Sequence, residues 1–88
     1  MYAIICTDKP GALDIRKANR EKHLAYLEAS PVFAAGPFLD QNGDMSGSLV
    51  VLDLDSRAEA EDWAANDPYA KAGLFAKVRI EQFKKVIG

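Results

Sequence analysis

The apolar positions of this chain alternate between strand-like runs and helix-like stretches along its 88 residues. YAIICT (2–7) is short, apolar and β-branched, and DKPG closes it, which predicts a strand and a turn. From Ala12 to about Ala29 there is no Gly or Pro and good helix formers dominate. Ser30-Pro31 marks the stop, so a long helix is expected in between. VFAAGPFL (32–39) reads as a second strand with Gly36-Pro37 at a bend or edge, and SLVVLDL (48–54) as a third. DQNGDMSG (40–47) between them is a polar loop containing Asn-Gly, which makes the pair a hairpin. Ser56-Arg57-Ala58-Glu59 fits the S-x-x-E capping box and opens a second helix from about Arg57 to Asn66. Asp67-Pro68 starts a short further turn, because Asp suits an N-cap and Pro the first helical position. Gly73 ends that turn, and KVRIEQF (77–83) alternates as the final strand.

The resulting order, β-α-β-β-α-β, is that of an α+β ferredoxin-like sandwich: one domain over 1–88, with two helices on one face of a four-stranded antiparallel sheet. A sheet covered on one face should alternate apolar and polar residues, yet YAIIC, VFAAG and LVVL are apolar on both. The economical cover for the open sheet face is a second copy of the chain, giving a two-fold homodimer. The alternative is that the runs reflect β-propensity and the face is wetted.

Composition removes several function classes. Hydrophobic residues make up 49% and charged residues 27%, ordinary for a globular domain, and the net charge of −2 with no Lys/Arg cluster offers nucleic acid no electrostatic footprint. No apolar run is long enough to span a bilayer, and MYAIICTDKP lacks the charged start and cleavage site of a signal peptide, so no membrane association and a cytoplasmic location are expected. Cys6 has no partner for a disulfide or a CxxC motif and reads as a small buried hydrophobe.

The only histidine, His23, lies on the long helix. At 100° per residue Leu13, Arg16, Arg20, His23, Leu24 and Leu27 fall on one broad face, while Ile15, Ala18, Ala25, Tyr26 and Ala29 gather on another. Arg16, Arg20 and His23, spaced i, i+4 and i+7, form a stripe able to hold a carboxylate or phenolate. The plainer reading makes the two arginines partners in surface ion pairs, worth about 0–1 kcal/mol, and His23 a packed imidazole. Asp67 continues the apolar stripe of Ala60, Trp63 and Ala64, so its carboxylate either points inward to orient His23 or merely caps the next turn. Geometry argues against the first option: antiparallel helices would set Asp67 level with earlier turns of the first helix, leaving His23 a turn or two away. One His, one Cys and scattered carboxylates offer no recognisable metal-ligand set, and no cofactor is expected.

REKHLAYL, AAGPF, GSLVV and DWAANDPYAKAGLFAKVRIEQFKKV together resemble the YCII-related family over nearly the whole chain. The resemblance implies a ferredoxin-like fold of the dimeric α/β-barrel type, similar to muconolactone isomerase, and an active site centred on a histidine and an aspartate. Matched by position these are His23 and Asp67, with Gly36, Pro37 and Ser48 near the pocket. One member of the family is a dehydrochlorinase acting on a chlorinated hydroxyhydroquinone. The short hairpin tip departs from the family pattern and puts any lid role of that loop in doubt. Two main readings follow. One is a cofactor-free enzyme in which His23, paired with Asp67, moves a proton on a small cyclic or aromatic anion while Arg20 and the groups near Gly36 and Ser48 hold the oxyanion. The other is a non-catalytic dimeric module that binds a small anion. A purely structural domain is a third.

Overall fold

The computed structural model describes residues 1–88. The elements are β1 (Tyr2–Asp8), α1 (Leu13–Glu28), β2 (Val32–Leu39), β3 (Met45–Leu52), α2 (Arg57–Asn66), α3 (Pro68–Lys71) and β4 (Phe75–Gln82). The strands form one antiparallel sheet in the order β2-β3-β1-β4, a ferredoxin-like α+β arrangement in which β2 and β4 are the edges. Pro37 therefore sits on an edge strand, where a missing N–H is tolerated. No helix is long and apolar enough to cross a membrane.

Register decides which residues the helices cover. Ile4 pairs with Val50 and Ile80, Tyr2 with Leu52, and Cys6 with Ser48. Paired residues share a face, so Ile4, Cys6, Val50 and Leu52 meet Trp63 in the core. The alternate residues Ala3, Ile5, Leu49 and Val51 point to the open face; Ala3 and Val51 are buried and Ile5 and Leu49 half-buried. Beyond β4 the Phe83 N–H donates to the Met1 carbonyl at 2.8 Å, and the Lys85 Nζ lies 4.9 Å above the Phe33 ring of the far edge strand.

Two local readings shift. The hairpin turn is tighter than the polar run implied: Asp40 Oδ1 accepts the N–H groups of Asn42 and Asp44, Gly43 takes φ 82°, and β3 begins at Met45 rather than Ser48. On α1 Tyr26, from the second of the two helix faces, packs against the core. Its hydroxyl donates to the Trp63 carbonyl at 2.8 Å, its ring stacks on the indole at 4.8 Å, and Trp63 Nε1 donates to Ser30 Oγ at 2.8 Å. The capping box forms with a variation: the Glu59 N–H donates to Ser56 Oγ, while Glu59 Oε2 reaches the N–H of Asp55, one residue before the cap.

Candidate active site

The clamp between Tyr26 and Trp63 sets the register of the two antiparallel helices, and that register positions the site. From Tyr26 three residues back along α1 lies His23; from Trp63 four residues on lies Asp67; the rises, about 4.5 and 6 Å, nearly match. His23 Nδ1 and Asp67 Oδ1 are 2.8 Å apart, with side chains only 7% and 4% exposed. The geometric objection from the sequence is thereby overturned, because α2 is shorter than α1 and ends level with the third turn of α1 rather than its start. The two readings of Asp67 both hold: the same Oδ1 also accepts the Tyr69 N–H at 2.9 Å as the cap of α3. An ionised carboxylate only accepts, so Nδ1 carries the proton, and Nε2 is the basic nitrogen without a protein partner.

One face of the ring is held as closely as its edge. Tyr69 stacks on His23 with centroids 4.0 Å apart and planes 16° from parallel. The Arg16 guanidinium carbon lies 4.7 Å over the Tyr69 ring. Arg16 in turn donates through both Nε and Nη2 to Asp8, at 2.7 and 2.8 Å. This pair is buried, not the surface pair the plain reading allowed. Burial opposes the charge of Arg16, but the Asp8 carboxylate outweighs it and pushes the guanidinium above its ordinary value. Burial raises the Tyr69 phenol above its ordinary value, against the opposing pull of Arg16 and Arg20.

A cavity of about 240 Å³ opens between α1 and the β2-β3 hairpin. His23, Arg16, Arg20 and Tyr69 form its helix side, Leu24 and Leu27 its apolar flank, and Ala35, Gly36, Pro37, Met45, Ser48 and Val50 its sheet side. Arg20, Gly36, Pro37 and Ser48, all singled out in the sequence, are thus brought together with His23; Asp67 stands behind the ring, outside the lining. No carboxylate lines the cavity. Arg20 is exposed and unpaired, and the buried Ser48 Oγ has no hydrogen-bond partner. Gly36, having no side chain, contributes backbone alone. No cluster of three or more His, Cys, Asp or Glu is placed to hold a metal ion.

Sequence reasoning did not single out Asp8 or Tyr69. Tyr69 had a local signal, lying two residues past a predicted cap and one past Pro68, where the short turn must bring it back against the long helix. Asp8 had none, because its partnership with Arg16 depends on how the end of β1 faces α1.

Residues 1–84 match the family model of the YCII-related domain. The chain belongs to the YCII-related family. Among YCII-related relatives, a protein of Haemophilus influenzae is 39% identical, covering 97% of both chains, and protein YciI of Escherichia coli is 34% identical, covering 98% of both. Among solved structures, 5-chloro-2-hydroxyhydroquinone dehydrochlorinase, TftG, of Burkholderia phenoliruptrix, in complex with 2,5-dihydroxybenzoquinone, is 37% identical with a TM-score of 0.86, covering 96% of this YCII-related chain and 94% of its own. An antibiotic biosynthesis monooxygenase, at 19% identity and a TM-score of 0.57 over 99% of this chain and 100% of its own, shares the fold alone.

Proposed function

We propose that this YCII-related domain is a cofactor-free acid–base enzyme whose substrate is a small, flat, oxygenated ring carrying negative charge, of the hydroquinone or quinone type. The observation that carries this reading is the buried His23–Asp67 pair in the wall of a cavity lined by cations and no carboxylate. A cavity of roughly 150 Å³ accepts benzene, so about 240 Å³ suits one six-membered ring with its substituents. The dehydrochlorinase TftG, similar over nearly the whole chain, acts on a ring of this class and binds a dihydroxybenzoquinone.

In this mechanism Nε2 of His23 takes a proton from the ring substrate. Asp67 keeps the proton on Nδ1 and stabilises the imidazolium that forms. The electron pair left on the ring delocalises onto its oxygens, where Arg20 at the exposed mouth and Ser48 Oγ at the sheet side stabilise the charge, with Gly36 and Pro37 shaping the opposite wall. Loss of a leaving group from the ring, or return of the proton at another ring position, completes the turnover without change of oxidation state. A second copy of the chain covers the open sheet face.

The test is chloride release from a chlorinated hydroxyhydroquinone by the natural protein and by His23→Gln. The expected outcome is turnover that falls about 10²- to 10⁴-fold in the variant while substrate still binds within a few-fold. Equal turnover in the two proteins overturns the acid–base role. Binding with no turnover by the natural protein selects the non-catalytic anion-binding module instead.

A further inference from the structure

The pairing of His23 with Asp67 fixes only one edge of the imidazole. A hydrogen bond at Nδ1 leaves the ring free to pivot about that contact, and Nε2 at the far side of the ring sweeps the largest arc. What stops the pivot has to press on the ring faces. Tyr69 does so at 4.0 Å, nearly parallel, and it is 2% exposed.

Tyr69 is itself held at two points. Its backbone N–H is bound to the oxygen of Asp67 that meets His23. Its ring is covered by Arg16, whose guanidinium carbon lies 4.7 Å from the ring centre. Arg16 and His23 leave α1 seven residues apart, about 10.5 Å along the axis, and both reach the same phenol ring. A guanidinium over an aromatic face is favourable but does not fix itself in place. Here the two-pronged contact of Nε and Nη2 with Asp8 fixes it, at side-chain exposures of 3% and 6%. Arg16 is therefore committed to Asp8 and Tyr69, and Arg20 is the cation left for substrate.

We propose that Tyr69 is a positioning residue of the site, clamped between Arg16 and His23, and that the Asp8–Arg16 pair locks the orientation of the His23 ring through it. The charged and titratable neighbours involved are Asp67 at the ring edge, Tyr69 at its face, Arg16 and Asp8 beyond Tyr69, and Arg20 at the cavity mouth. The functional consequence rests on His23 being the proton carrier; the clamp itself is read without any substrate.

The single histidine makes the clamp directly observable by NMR in the full chain. In the natural protein the His23 ring protons are expected to be displaced upfield by the current of the stacked Tyr69 ring, and the 15N shifts to show the Nδ1–H tautomer. Tyr69→Leu is expected to abolish the displacement and Tyr69→Phe to keep it. Arg16→Met, with Asp67 untouched, is expected to reduce the displacement and broaden the His23 resonances. Each variant is read where its amide spectrum keeps the dispersion of the natural fold. If Arg16→Met does not fold, Arg16→Lys, which keeps the charge but loses the fork onto Asp8, is read in its place. His23 resonances unchanged in the Arg16 variant, or a displacement surviving in Tyr69→Leu, overturn the proposal. Where the turnover test succeeds, Tyr69→Leu should lower kcat about 10- to 100-fold with KM within about threefold, because a misaimed Nε2 costs the chemical step. A raised KM with kcat kept would make Tyr69 a substrate contact and overturn its positioning role. A displaced, clamped histidine in a protein without turnover would leave the clamp standing and remove the enzyme reading alone.

Discussion

Cys6 sits on β1 opposite Ser48, with 3% of its surface exposed. Burial pushes its thiol up from 9.0 to about 11, against the downward pull of the neighbouring Ser48 hydroxyl and of Arg16. At neutral pH the residue is thus an inert thiol, and a disulfide reagent should label it only at the rate at which the protein opens. A raised value in the fold has a fixed sign of linkage. Below pH 9 both folded and unfolded chains keep the thiol proton; between pH 9 and 11 the unfolded chain loses it while the fold retains it, so stability falls across that window by about 2–3 kcal/mol. Urea midpoints measured from pH 8 to 11 should show this fall, and Cys6→Ala should lessen it; the raised phenols of Tyr26 and Tyr69 add a slope of the same sign. The buried character of Cys6 was legible in YAIICT, since an apolar β-branched run that short has few ways to expose one of its members. The burial of Arg16 was not, because an arginine on a helix reads as surface until the carboxylate that neutralises it, eight residues earlier on another element, is located.

At the scale of elements, Asp67 joins two helices to a third. It ends α2 through its backbone N–H, which donates to the Ala64 carbonyl, and through one carboxylate oxygen it caps α3 and holds His23 of α1. Its two roles separate by substitution. Asn is as good an N-cap as Asp, whereas Ala loses about 1 kcal/mol of capping and the buried contact to His23 besides. Asp67→Asn should therefore keep most of the urea stability that Asp67→Ala loses, yet both should lose turnover, by at least about tenfold in the Asn variant, because a neutral amide neither enforces the Nδ1–H tautomer nor stabilises the imidazolium. Equal activity in Asp67→Asn would reduce the residue to a cap. The helices and strands themselves were legible from periodicity, the S-x-x-E box and Asp67-Pro68. The meeting of His23 with Asp67 was legible only as one of two alternatives. It depends on where along α1 the second helix engages, and that is set by the contacts of Tyr26, Ser30 and Trp63, which no local pattern ties together.

At the scale of the molecule the open sheet face remains the feature that one copy does not explain. Ile5 and Leu49 pair across β1 and β3 and are half-buried, and Phe33 and Phe38 on the edge strand are 46% and 43% exposed. Gly36 pairs with Leu49, so a Cβ there would project to this face, where it meets nothing within 4 Å in a single copy. A second sheet packed against this one would use the room that the glycine leaves, and would supply the burial that an 88-residue chain has difficulty finding within itself. Leu49→Arg isolates the question, because Leu49 lies on the side of the sheet away from the cavity and the helices. The natural chain should sediment as a dimer and the variant as a monomer with its far-UV spectrum kept, since an unpaired guanidinium buried between two sheets would have to be desolvated without compensation. A variant that remains dimeric would mean that the copies meet elsewhere.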